Sequence, residues 1–205
     1  GTWTGQAALT YGEPIPTIIA ALHGRALSSL TEERQRAQKL YDTDVKKMNV
    51  DKNEWIDKIA AAMYASKICS YAQGFALMQM ASRETSYNLK LGNIAAIWRG
   101  GCIIRAAFLE KIREAFARDP DCPNLLVDDT FAAEIRKRVE DWREVVSGAV
   151  RAGISLPAMS ASLAYFEAMR RQVLPANMIQ AQRDFFGAHT YKRKDMDGIF
   201  HTQWQ

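Results

Sequence analysis

Between Asn53 and Ser86 the chain runs without a proline, while Trp55, Ile59, Met63, Ile68, Tyr71, Phe75, Met78 and Ala81 recur every three to five residues. That spacing returns side chains to one face of an α-helix and fits no strand. At ~1.5 Å per residue the segment makes a helix of roughly 50 Å, longer than a small domain is wide. Around residues 60–80 apolar side chains occupy more than one side, so the helix is expected to run through the middle of the molecule with other helices packed round it.

The flanking sequence supplies those partners. Ile18, Ile19, Leu22, Ala26 and Leu27 form one stripe between Ile15 and Leu30, behind the start signal of Pro14 and Pro16. Further helices are expected over Ile103–Arg118, closed by Asp119-Pro120, and over Asp129–Ala152, ended by Gly153. Another is expected over Pro157–Leu174, stopped by Pro175. No stretch alternates for more than a few residues, so no sheet is expected, and Asp119–Asp128 with Pro120, Pro123 and Asn124 reads as a loop. The expectation is an all-α fold: a large helical domain over residues 1–174 with a long central helix, then a tail over 175–205. Gly12 and Pro16 match Gly153 and Pro157 in spacing, each before an apolar helix. This is either a duplicated helical unit or what any helix–Gly–Pro–helix corner looks like.

With 205 residues, 48% of them apolar and 24% charged, the chain can bury a full core. Its net charge of +4 is spread along the sequence. Neither a nucleic acid nor a membrane surface is called for, though the excess suits a small anionic ligand. Cys69, Cys102 and Cys122 have neither metal-ligand spacing nor the even count of a disulfide framework. Cys69 and Cys102, set among apolar residues, are expected to be buried thiols, in keeping with a reducing cytoplasm. No apolar run reaches the length of a membrane span, and the first residues lack a signal-peptide pattern. There is no glycine fingerprint for a dinucleotide, no phosphate loop and no His-Glu or Cys-Cys pair at metal spacing. With His23, His189 and His201 as its only histidines, the chain offers no supported triad. No catalytic residue and no metal ligand is assigned.

Three places stand out against this helical background. Beyond Pro175, large aromatics mix with Arg183, Gly187 and His189, too apolar for a solvated tail and too irregular for a core helix, so the terminus is expected to dock on something. Trp98-Arg-Gly-Gly-Cys-Ile-Ile-Arg105 reads as a helix junction with Arg99 and Arg105 as anchors. Arg25 lies beside Gly24 and Ala26, where there is room for a ligand, although by residue type it reads as a surface arginine. Lys192-Arg193-Lys194, next to Asp195 and Asp197, reads as a solvated turn.

Leu27-Ser-Ser-Leu-Thr-Glu-Glu-Arg34, the Trp98–Arg105 block, Gln180-Ala-Gln-Arg-Asp-Phe-Phe-Gly-Ala-His-Thr-Tyr191 and Phe200-His-Thr-Gln-Trp204 together resemble the C-terminal domain of decarboxylating 6-phosphogluconate dehydrogenases. The resemblance covers essentially the whole chain, and Gly1-Thr2-Trp3 looks like the end of the family's Lys-Gly-Thr-Gly-x-Trp signature. It implies an N-terminal dinucleotide-binding domain outside these residues, which would bind most of the NADP. It also implies a homodimer whose C-terminal tails thread into the partner subunit. The implied reaction oxidises 6-phosphogluconate and releases carbon dioxide to give ribulose 5-phosphate. The family's general-base lysine and general-acid glutamate fall outside this sequence, so these residues alone are expected to be inactive. The family's phosphate-gripping residues map onto Arg25 and, delivered from the partner's tail, Arg183 and His189. Two other readings stand beside this one: a helical dimerisation module without activity of its own, and another β-hydroxyacid dehydrogenase, which would lack the Arg183–His189 tail.

Overall fold

The computed structural model describes residues 1–41 and 45–204. Its helices are α1 (Thr2–Tyr11), α2 (Pro16–Ser28), α3 (Thr31–Tyr41), α4 (Lys52–Thr85), α5 (Leu91–Ile97), α6 (Leu109–Arg118), α7 (Asp129–Arg136), α8 (Val139–Ala152), α9 (Pro157–Met169) and α10 (Asn177–Gly187). Among the described residues there is no strand, and an isolated antiparallel bridge joins Tyr191 to Phe200. The chain divides into two compact units, Gly1–Glu167 and Ala168–Gln205.

The long helix forms as its sequence dictates. Asp51 caps it, its carboxylate accepting the Glu54 N–H at 2.8 Å, and Ser86 ends it in the left-handed conformation at φ 58°. It is the spine of the first unit, and α1, α2 and α8 pack on it. From its middle onward it buries Ile68 and Phe75, as the apolar period requires. Its first half differs from that period: Met63 is 60% and Ile59 40% exposed, and the buried face carries Ala62 and Ala65. Small residues there, continued by Cys69 and Ala72, let neighbouring helices approach closely. On α8 the same device recurs at Gly148, where a Cβ would lie 2.5 Å from the Trp55 ring.

A buried amide fixes where α2 begins. Gln73, fully buried on α4, accepts the Thr17 N–H at 3.0 Å and donates to the Thr17 hydroxyl at 2.9 Å. One of the orphan N–H groups of the first turn of α2 is thereby satisfied inside the core. The two Gly–Pro corners match in geometry. Gly12 (φ 67°) ends α1 four residues before Pro16 opens α2, and Gly153 (φ 76°) ends α8 four residues before Pro157 opens α9.

Three helix limits differ from the sequence reading. The 129–152 segment is broken between α7 and α8, because Arg138 turns back to donate to the Glu134 carbonyl and carboxylate, each at 2.7 Å. Its guanidinium also lies 4.3 Å from the centre of the Tyr64 ring. Residues 102–108 are turns rather than the first half of a helix: Gly101 is left-handed (φ 65°), and the Tyr71 hydroxyl donates to the Ile104 carbonyl. Buried Phe108 then packs edge-on against Tyr71, and α6 starts at Leu109. Cys102, in that turn, is half-buried rather than buried, whereas burial of Cys69 pushes its thiol up to about 12. Finally, α9 stops at Met169, short of Leu174.

Candidate functional site

Arg25 stands in the last turn of α2, exposed, its guanidinium without a hydrogen-bond or ion-pair partner among the described residues. Gly24 beside it leaves room for Pro157, which a Cβ would meet at 3.4 Å. The pinning of α2 by Gln73 therefore sets the position of Arg25. Of the two arginines expected to anchor the Gly-Gly junction, Arg99 pairs with Glu110 of α6, whereas Arg105 is exposed and its side chain has no hydrogen-bond or ion-pair partner among the described residues. Arg193 pairs with Asp195 at 2.5 Å in an exposed turn.

The second unit is built round one carboxylate. The tail is ordered where its sequence reads as irregular: α10 runs from Asn177 to Gly187, and the chain then turns through left-handed Ala188 (φ 50°) and Thr190 (φ 63°). It leaves through the bridge at Tyr191, returns at Phe200, and lays residues 201–204 back against α10. Asp184, with no exposed surface, holds these pieces together. Its Oδ1 accepts the Thr190 N–H at 3.0 Å and meets His201 Nδ1 at 2.9 Å. Its Oδ2 accepts the Thr202 N–H and the Trp204 indole N–H, each at 3.0 Å. Burial alone would raise the pKa of this acid, but the donors of Thr202, His201 and Trp204 outweigh it and hold the group at about 2. Gln180 adds a bond from its amide to the Thr190 carbonyl at 2.5 Å, and the Tyr191 and Thr202 hydroxyls meet at 2.8 Å.

Arg183 and His189 are linked through Gly187. The His189 ring lies against Gly187 so closely that a Cβ there would be 2.8 Å from Nε2. Arg183 stands four residues earlier on α10, one turn up the same face. Both side chains are exposed and without an ion-pair partner among the described residues, so two cationic or donor groups are free to meet an anion. His189 also lines a hollow of about 700 Å³ together with Gln180, Lys192, Lys194 and Trp204. Arg25 belongs to the other unit. Among the described residues no group of His, Cys, Asp and Glu could hold a metal ion, and no helix is long and apolar enough to cross a membrane.

Asp184 is the residue that sequence reasoning passes over. It sits inside the specific block Gln180–Tyr191, and the signal available was an acid set directly against Phe185 and Phe186, with donors His201 and Trp204 waiting in the closing block. Phe185 and Trp204 do stack, edge to face at 5.7 Å.

Comparison with known proteins places this architecture. Residues 1–204 match the family model described as 6-phosphogluconate dehydrogenase, C-terminal domain. The decarboxylating 6-phosphogluconate dehydrogenase 2 of Arabidopsis thaliana is 52% identical, the match covering 100% of this chain and 43% of the plant protein. The NADP(+)-dependent, decarboxylating 6-phosphogluconate dehydrogenase of Bacillus subtilis is 50% identical, covering 100% of this chain and 44% of the bacterial one. Among solved structures, Plasmodium falciparum 6-phosphogluconate dehydrogenase, determined in its apo form and in complex with its cofactor NADP+ and its substrate 6-phosphogluconate, superposes with a TM-score of 0.93 at 42% identity. That match covers 100% of this chain and 44% of the parasite chain. The chain thus spans less than half the length of these relatives. With the whole of its helical architecture matched, the chain belongs to the 6-phosphogluconate dehydrogenase family, as that family's C-terminal domain.

Proposed function

We propose that this chain is the helical part of a cytoplasmic, NADP-dependent enzyme that oxidatively decarboxylates 6-phosphogluconate to ribulose 5-phosphate, and that its own task is to grip the substrate phosphate. The observation that carries the proposal is that Arg183 and His189 are both exposed, without ion-pair partners among the described residues, and linked through Gly187 in a tail held by a buried carboxylate. Relatives that match this chain over its whole length are named as decarboxylating 6-phosphogluconate dehydrogenases, the Bacillus subtilis one as NADP(+)-dependent. NADP is bound mainly by the N-terminal part that these relatives have beyond the matched region, and the catalytic acid and base lie there too.

A phosphate dianion suits this donor set. Guanidinium groups bind it through a planar fork, with charge-assisted bonds roughly twice as strong as neutral ones. Arg25 supplies one side of the grip, and Arg183 with His189 of a second copy supplies the other. The assembly is a homodimer with exchanged tails, without nucleic acid or membrane partners. Exposed apolar side chains suit this arrangement: Met178, Ile179 and Phe186 on α10, and Ile56, Ile59 and Met63 on α4. Anchoring the remote phosphate fixes the sugar so that its reacting carbons meet cofactor and acid/base groups in a productive pose.

In the full-length enzyme Arg183→Ala is expected to weaken 6-phosphogluconate binding by about 1.5–3 kcal/mol, the scale of a hydrogen bond to a charged group. Steady-state kinetics would show this as a raised KM for the sugar phosphate. An unchanged KM would refute the role.

A further inference from the structure

His189 is held in an unusual backbone setting. The residues on either side of it, Ala188 and Thr190, are both left-handed, a conformation that side chains other than glycine rarely keep without support. The support comes from Asp184. Its carboxylate takes four donors from four positions, two on each oxygen, and so ties residue 190 and the returning 201–204 segment to α10. The contact to Thr190 N–H lies one residue from His189, and the ring of His189 rests on Gly187, less than one turn from Asp184. Asp184 is wholly buried and faces inward, so it cannot itself touch a substrate phosphate, which its charge would in any case repel.

We propose that Asp184 is a positioning residue, which acts through the Thr190 backbone and the 201–204 return to set His189 beside Arg183 on one face of the tail. This rests on the reading of Arg183 and His189 as phosphate ligands. An asparagine could not replace Asp184, because one of its two oxygens becomes an NH2 group facing two donors. The loss would fall on the geometry of the tail before it fell on the rest of the fold, since the four donors all lie within the second unit.

The test uses the full-length enzyme with His189→Ala, Asp184→Asn and the double variant, reading KM for 6-phosphogluconate, KM for NADP and dimer mass. His189→Ala and Asp184→Asn should each raise the sugar-phosphate KM by about tenfold, the scale of one charge-assisted hydrogen bond, leaving the NADP KM and the dimer unchanged. The double variant should be no worse than His189→Ala alone, because both changes remove the same interaction. Multiplied effects in the double variant, or a raised NADP KM with loss of the dimer, would show Asp184 to be a general structural residue and overturn the proposal. A normal KM in Asp184→Asn beside a raised KM in His189→Ala would overturn it while leaving the phosphate reading intact. A normal KM in His189→Ala would remove the reading on which it stands. If Asp184→Asn yields no soluble protein to assay, Trp204→Phe takes its place. Removing one donor while keeping an aromatic ring against Phe185, it should raise the sugar-phosphate KM by about two- to threefold, and no rise would count against the proposal.

Discussion

Replacing Gly187 by alanine separates the stability of the tail from its function. The new Cβ would lie 2.8 Å from His189 Nε2 and 2.9 Å from Cδ2, closer than real Cβ contacts come, so the imidazole must leave its seat. The backbone accepts the change, because Gly187 is the last residue of α10 and is not among the left-handed glycines. Alanine favours the helix over glycine by up to about 1 kcal/mol, and less than that at a helix end. The variant should therefore fold at least as well as the parent. Displacing rather than deleting the imidazole should cost about 1–2 kcal/mol of phosphate binding, below the full value of a charge-assisted bond, or roughly five- to thirtyfold in KM. The assay pairs steady-state kinetics in 6-phosphogluconate and in NADP with a thermal melt of the full-length enzyme. An unchanged sugar-phosphate KM would refute the seat on Gly187, and a clearly lowered melting temperature would refute the claim that only the side chain moves.

Two further outcomes test the packing and the charge. Gly148→Ala would bring a Cβ within 2.5 Å of the Trp55 ring and 2.9 Å of the Met48 methyl, and this overpacking should destabilise the helical unit by about 1–3 kcal/mol in denaturant unfolding. Asp184 has its carboxyl lowered from 3.8 to about 2, so its contribution to the tail is fully present above about pH 4 and is lost as pH falls through about 2. The amide protons of Thr190 and Thr202, which it accepts, should titrate in NMR with a midpoint near the lower value. A midpoint near 4 would mean that the four-donor cluster does not hold in solution.

Much of the fold could be read from local pattern. The limits of α4 fall within one residue of its apolar period, and Gly153 with Pro157 mark their corner because a left-handed cap and a first-turn proline are local demands. What escaped depends on distant partners or lacks a buried face. At the break between α7 and α8, Arg138 turns back onto Glu134 and lies over the half-buried Tyr64 ring of α4, a partner remote in sequence. Helix α3 carries no apolar stripe. Glu32 and Glu33 in its first turn and Lys39 in its last favour it through the helix dipole, a signal that hydrophobic periodicity cannot register. In α10 the pairs Met178–Phe185 and Ile179–Phe186 are each seven residues apart, two helical turns, yet all four are exposed, and so the segment reads as irregular. For the proposed phosphate grip, Arg25, Arg183 and His189 are legible in the sequence through resemblance alone. Their organisation is not, because the donors to Asp184 lie between six and twenty residues away in sequence.

The central claim is that a phosphate grip is completed between two copies of the chain, and mixed dimers test it most directly. One subunit carries Arg25→Ala and the other Arg183→Ala, with different tags so that the hybrid alone is purified. If tails are exchanged, one site of the hybrid receives both lesions and the other receives none. The account predicts about half of wild-type turnover with a wild-type KM for 6-phosphogluconate, where each parent homodimer is impaired at both sites. If each tail served its own subunit, both sites would carry one lesion. A hybrid with no wild-type-like sites would contradict the account.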